Sequence, residues 1–178
     1  YGDHRDLHLS IRRQRQMCIR DSLCIESLKK GNKILLFGNG GSAATSSHSA
    51  GDWSKELGIP TIAHTDNISS FTAWANDTDY VNVFAGQLSV FAKAGDLVIA
   101  YSGSGNSANV LNGIIAAKEA GCRTAAVTGD YNGGAGGELA GMVDVAIVVP
   151  TTSMERCEDM QLMINHIVKE AQKTNRGK

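Results

Sequence analysis

Four short, mainly apolar runs restrict this chain to few architectures: Lys33-Ile34-Leu35-Leu36-Phe37, Asp96-Leu97-Val98-Ile99-Ala100, Arg123 to Thr128 and Val143 to Val149. Each is strand-sized and lacks the polar alternation of a sheet with one wet face, so each reads as a strand buried on both sides. Thr61-Ile62-Ala63 adds a shorter fifth. The segments between them have helical character. Helices are predicted over Leu23–Lys30, Ser42–Leu57, Ile68–Ala75, Tyr80–Ala92, Ser107–Ala120, a short Gly133–Gly141 and a long Met154–Gln172. In the fourth of these, Val81, Phe84, Leu88 and Phe91 stand at core spacing. Strands alternating with helices predict an α/β fold. The expected form is a doubly wound, mostly parallel sheet of about five strands with helices on both faces, flavodoxin-like or related.

The first 21 residues read differently from the rest. Tyr1-Gly2-Asp3-His4-Arg5-Asp6-Leu7-His8 reads as an in-frame translation matching a flow-cell adapter used in short-read sequencing libraries. Arg12 to Asp21 reads as a translation matching the transposase adapter that follows it, and Leu9-Ser10-Ile11 would fill the place of a sample index. Residues 1–21 are therefore set aside as adapter-derived, and 22–178 are read as a single domain whose natural N-terminus lies further upstream. The segment carries five Arg and three Asp, so the net charge of −1 becomes −3 without it. A mildly acidic chain exerts no bulk pull on nucleic acid or a membrane surface. No run approaches the length of a membrane helix. Cys24, Cys122 and Cys157 show no metal-type spacing and read as reduced thiols of a cytoplasmic protein.

Ligands of such sheets bind beyond the carboxyl ends of the strands. Two loops there are conspicuous. Gly38-Asn39-Gly40-Gly41-Ser42 leads from a strand into a helix that carries His48 and, four residues on and so on the same face, Asp52. Glycines let the main chain approach a ligand, and a helix N-terminus offers N–H groups to an anion. Ser102-Gly103-Ser104-Gly105-Asn106-Ser107 repeats the arrangement with three hydroxyls, which suits a phosphate monoester. A single serine would read as an N-cap; three with two glycines do not. No Gly-Lys-Ser/Thr signature is present, and the first loop lacks the G-x-G-x-x-G spacing, which disfavours nucleotide sites. On the last helix Glu158 and His166 lie eight residues apart, roughly on one side. A lone histidine amid apolar residues is more often part of a core than of a site. His48, Asp52, Glu158 and His166 gain meaning only if their two helices meet.

Gly38 to Ala44, Ser102 to Val110 and Glu158 to His166, in this order, resemble the phosphoheptose isomerases of the sugar isomerase (SIS) domain family, and the likeness runs from about Leu23 to Ala171. The resemblance implies a single SIS domain over 22–178. It implies a ketose–aldose isomerase acting on sedoheptulose 7-phosphate, for heptoses of lipopolysaccharide, capsule or glycoprotein. It also implies homotetramers with sites at subunit interfaces, often with zinc. Carried over, Ser102, Gly103, Ser104 and Ser107 would hold the phosphate, and Asn39, Gly40, Gly41, Asn76 and Asp77 would line the sugar. His48 and His166 match zinc-ligand histidines, and His166 also matches the proposed catalytic histidine. Two positions depart from the pattern: Asp52 stands where Glu is usual, and Glu158 where Gln is usual. The expected metal set is thus His48, Asp52, Glu158 and His166.

Isomerisation of this kind passes through a cis-enediol and needs a base and an acid on either side of the substrate. Asp52, or Glu158, is assigned as base and His166 as acid. The alternative is a non-catalytic SIS module that binds a sugar phosphate, or that partners the bacterial replication initiator.

Overall fold

The computed structural model describes residues 31–176. The adapter-like segment and the predicted helix Leu23–Lys30 lie outside them. Five strands form one sheet: β1 (Ile34–Gly38), β2 (Thr61–Ala63), β3 (Leu97–Ser102), β4 (Arg123–Gly129) and β5 (Val145–Val149). Their order is β2-β1-β3-β4-β5, and every pairing is parallel. The helices are α1 (Gly41–Leu57), α2 (Ile68–Asp77), α3 (Val83–Phe91), α4 (Ala108–Glu119), α5 (Gly137–Met142) and α6 (Met154–Arg176).

Alternate residues of each strand feed opposite cores, which is why the strands show no polar alternation. Ile34 and Leu36 of β1, with Ile99, Tyr101, Val127 and Ile147, pack under Trp53 of α1 and Ile164 and Val168 of α6. Leu35 and Phe37, with Val98 and Ala100, pack under Val83, Phe84 and Leu88 of α3 and Val110 and Ile114 of α4. The expected doubly wound sheet with helices on both faces is thus the fold found.

Several boundaries differ from expectation, each for a local reason. The predicted Tyr80–Ala92 helix is a 3₁₀ turn, Tyr80–Asn82, followed by α3. The Asp79 carboxylate accepts the Val81 N–H and starts that turn. Phe91, placed in the core by spacing, is 42% exposed because α3 ends there. Asp96 is not part of β3. Its buried carboxylate accepts bonds from the Lys33 and Lys93 N–H groups and the Lys33 ammonium, joining the entries of two strands. The Gly133–Gly141 segment splits into a 3₁₀ turn, Tyr131–Gly133, and α5, because Gly136 and Gly137 adopt positive φ. The last helix runs on to Arg176.

The side on which successive strands are added reverses between β1 and β3, since β2 lies on one side of β1 and β3 on the other. A crevice opens at such a switch point, beyond the carboxyl ends of the two strands. The loops leaving β1 and β3 are Asn39–Gly40 and Gly103–Ser107, so topology alone brings the two Gly-rich loops together.

One buried titratable group lies away from this crevice. His64, just after β2, is 1% exposed. Its Nδ1 lies 3.3 Å from Gln87 Oε1, while Gln87 Nε2 donates to the His64 carbonyl at 2.9 Å. Burial pushes its imidazole down from 6.5 to about 4. The native state therefore stays neutral down to that pH, whereas the unfolded chain takes up a proton near 6.5. Stability linked to His64 is full above about pH 6.5 and is lost as pH falls towards 4, by at most about 3 kcal/mol. Urea unfolding at stepwise pH should show this loss in wild type and its absence in His64→Leu. Equal slopes for the two proteins would contradict it.

Candidate active site

Helices α1 and α6 both leave carboxyl ends of strands in one parallel sheet, so they run side by side in the same direction. Their contacts keep an almost constant sequence offset. Ser42 Oγ donates to Gln161 Oε1 at 2.9 Å, His48 Nε2 meets His166 Nε2 at 3.1 Å, Lys169 Nζ donates to Asp52 Oδ2 at 2.9 Å, and Lys173 Nζ to Glu56 Oε2 at 2.7 Å. Further back, the Glu158 carboxylate packs on Gly41, in the space a side chain there would fill. The two helices on which the reading depended do meet, and they meet in register.

At the amino-terminal end of this seam lies a cleft of about 220 Å³, lined by Asn39, Gly40, Ser42, Ser102, Gly103, Ser104, Ser107, Met154 and Glu158. Two helix N-termini border it. Gly40 before α1 and Ser107 before α4 make no side-chain cap bond, which leaves first-turn N–H groups available to an anion. Ser107 is thus not spent as a cap. Ser102 Oγ accepts the Gly105 N–H at 3.1 Å and can still donate its own proton. Gly105 is obligatory here: its φ is +65°, and a Cβ would run into the Gly136 carbonyl. Asn106 Oδ1 accepts the Glu138 N–H at 2.9 Å, and the Leu139 N–H donates to the Gly105 carbonyl at 2.9 Å. The α5 region therefore buttresses the serine loop. On the opposite wall Asn39 exchanges two 2.9 Å amide bonds with Asn109 and accepts the Tyr80 hydroxyl at 3.1 Å, so its orientation is set.

About two to three turns along the seam stand His48 and Asp52 of α1 and His166 of α6, with one donor atom from each within 4.8 Å of the others. Asp52 Oδ2 is 3.5 Å from both imidazole Nε2 atoms. This arrangement can hold a metal ion, or it can pass a proton between carboxylate and imidazole. The hydrogen bond from Lys169 holds the Asp52 carboxyl below the usual carboxylate range, against a weaker upward pull from burial. Hydrogen bonds from Lys173 and then Lys169 hold Glu56 down at about 2. In turn, the bond to Asp52 raises Lys169 above its ordinary value.

Most of the residues singled out from sequence converge here. Asn39, Gly40, Ser102, Gly103, Ser104, Ser107 and Glu158 line the cleft, and Gly41 lies against Glu158. His48, Asp52 and His166 form the donor group. Glu158 does not join that group; it sits over Gly41, nearer the serine loop. Asn76 and Asp77 stay apart, exposed at the end of α2, with Asn76 Nδ2 donating to Asp77 Oδ1 at 2.8 Å. Three participants were not anticipated: Met154 against Gly103, Asn109 locking Asn39, and Lys169 on Asp52. Of these only Lys169 carried a signal, standing one turn beyond His166 on the helix.

The chain matches the SIS domain family over residues 7–129, a span that begins within the adapter-like segment. It is similar to the phosphoheptose isomerase of Aliarcobacter butzleri, 40% identical over 151 residues that cover 82% of this chain and 78% of the relative. A second relative, the phosphoheptose isomerase of Sulfurimonas denitrificans, is 42% identical, with 82% and 75% covered. Among solved structures, the phosphoheptose isomerase of Neisseria gonorrhoeae superposes with a TM-score of 0.83 at 29% identity, covering 95% of each chain.

Proposed function

Because this chain belongs to the phosphoheptose isomerases of the SIS domain family, we propose that it interconverts sedoheptulose 7-phosphate and D-glycero-D-manno-heptose 7-phosphate. The reading rests on one juxtaposition. A hydroxyl-rich anion cradle, with Glu158 on its wall, and a His–Asp–His group stand at two levels of the same helix seam. Seven helical residues separate Gly41 from His48, about 10 Å along the axis. An extended sugar chain covers about 1.2 Å per bond, so a heptulose 7-phosphate reaches about 8 Å from carbonyl carbon to phosphorus. A substrate of that length can rest its phosphate on the serine loop and present its carbonyl to His48 and His166.

Ser102, Ser104 and Ser107, with the backbone at Gly103, hold the phosphate, and Asn39, Gly40 and Gly41 flank the sugar. Anchoring the far end supplies orientation at the reacting carbons. Asp52 takes a proton from C1 while His166 gives one to the C2 carbonyl oxygen, forming the enediol. Asp52, its proton exchanged with solvent, then protonates C2, and O1 gives its proton to His166, which leaves an aldehyde at C1. Glu158, over Gly41, is placed to accept sugar hydroxyls in mid-chain. Donors on a tetrahedral zinc ion stand about 3.3 Å apart, given bonds of about 2.0–2.1 Å. The spacings of 3.1, 3.5 and 3.5 Å among His48, His166 and Asp52 fit that set. Held there by these three residues, a zinc ion would polarise the carbonyl oxygen in place of proton donation by His166.

The exposed flank of this seam carries Met163 and Ile167 of α6 beside His166. It suits the subunit contact of a homotetramer with sites at its interfaces, where Asn76 and Asp77 of one copy would serve another. The remaining parts of the proposal are a cytoplasmic location and a role in making heptose for lipopolysaccharide or capsule. None of the helices among the described residues is long and apolar enough to cross a membrane.

Incubation with sedoheptulose 7-phosphate in deuterated buffer should place solvent deuterium at C2 of the aldose product. A chelator should slow the exchange, and added zinc should restore it. A protein that binds the phosphosugar without any exchange would instead be a sugar-phosphate-binding module.

A further inference from the structure

Lys169 is a costly residue in its position. Its residue is almost entirely buried, and its ammonium is held between two carboxylates, Asp52 Oδ2 at 2.9 Å and Glu56 Oε1 at 3.2 Å. Burying an ammonium and a carboxylate together gains little stability over apolar residues of the same volume. Helix packing alone therefore gives no reason for a lysine here. The geometry does. The same oxygen, Asp52 Oδ2, receives the Lys169 proton and stands 3.5 Å from Nε2 of both His48 and His166. Asp52 has one side open to solvent, where its carboxylate would otherwise turn to be hydrated. Lys169 is itself pinned from behind, because Glu56 also accepts from Lys173 at 2.7 Å.

Resting on the reading of Asp52 given above, we infer that Lys169 is a positioning residue that holds the Asp52 carboxylate turned towards the His48–His166 pair, through a relay of Lys173, Glu56 and Lys169. Aspartate is one methylene shorter than glutamate, so its reach depends more on being aimed. The inference has a sign that separates it from simple charge screening. A positive charge beside a cation site weakens metal binding, so its removal alone would strengthen binding. Loss of an orienting partner weakens binding instead, typically by tenfold or more.

The test is a titration of the full chain with Co²⁺, followed by visible absorption, with steady-state turnover of sedoheptulose 7-phosphate measured alongside. Lys169→Met should raise the Co²⁺ dissociation constant about tenfold and lower kcat, while KM stays within about twofold because the phosphate loop is untouched. Lys169→Arg, which can still donate to both carboxylates, should restore both quantities to within about threefold. Glu56→Gln should shift Co²⁺ binding in the same direction by less, and it decides the matter if Lys169→Met does not fold. Binding as tight as wild type, or tighter, in the folded variants overturns the inference. Asp52→Ala is the control on the underlying reading. If it binds Co²⁺ like wild type, that reading falls and this one with it; if it loses binding while Lys169→Met does not, only the role of Lys169 falls.

Discussion

His166→Ala is expected to lower kcat by about 10²–10⁴-fold, the usual worth of a positioned general acid or base. KM for the phosphosugar should change far less, because the serine loop that anchors the phosphate lies about two helical turns away. The fold should survive, since the His166 side chain is 44% exposed and its contacts are with the half-exposed His48 and with Asp52. Steady-state kinetics with circular dichroism checks both halves. A folded variant with kcat within about threefold of wild type would remove His166 from the chemistry. It would leave the His48–Asp52 pair to be explained as a surface contact.

Phe37→Ala is expected to cost about 3–5 kcal/mol of unfolding free energy, read from urea denaturation. Phe37 is fully buried at the end of β1, stacks on Phe84 at 4.8 Å between ring centroids, and presses on the α4 backbone at Gly113. A hole there is bounded by strand and helix main chain, which cannot collapse into it. The loss is a large part of the 5–15 kcal/mol that holds a typical domain together. Because Gly38 follows directly, the cleft should loosen before the domain unfolds, and KM should rise in the variant at temperatures where it is still folded. A loss below about 1 kcal/mol would mean that this layer of the core repacks freely.

The sheet was legible in the sequence because burial on both faces leaves a plain mark. Ile34-Leu35-Leu36-Phe37 and Leu97-Val98-Ile99-Ala100 are apolar at every position and too short for a buried helix, which is the pattern of a central strand. Helix ends were less legible. The start of α3 was decided by the Asp79 carboxylate capping a 3₁₀ turn, and the start of α5 by backbone angles at Gly136 and Gly137. Such choices rest on single hydrogen bonds and dihedrals, which leave no periodic trace. Phe91 shows the converse failure: its spacing was right for the core, but the helix ended under it.

The site divides in the same way. Residue types and local spacing marked the two loops and each helix pair, Gly41 to Asp52 and Glu158 to His166, because an anion cradle and a helix face are local objects. Whether those faces met was a question of register between helices more than a hundred residues apart in the chain. Only the packing of α1 beside α6 answers it, since the offset that brings His48 to His166 also brings Lys169 to Asp52 and Glu158 to Gly41. Sequence by itself determined the layers, the loops at the strand ends and the chemistry available there. Tertiary structure alone decided which carboxylate stands by the histidines: Asp52 does and Glu158 does not, because a residue's place along a helix is fixed by its number, but its neighbour across the seam is fixed by how two helices dock on one sheet.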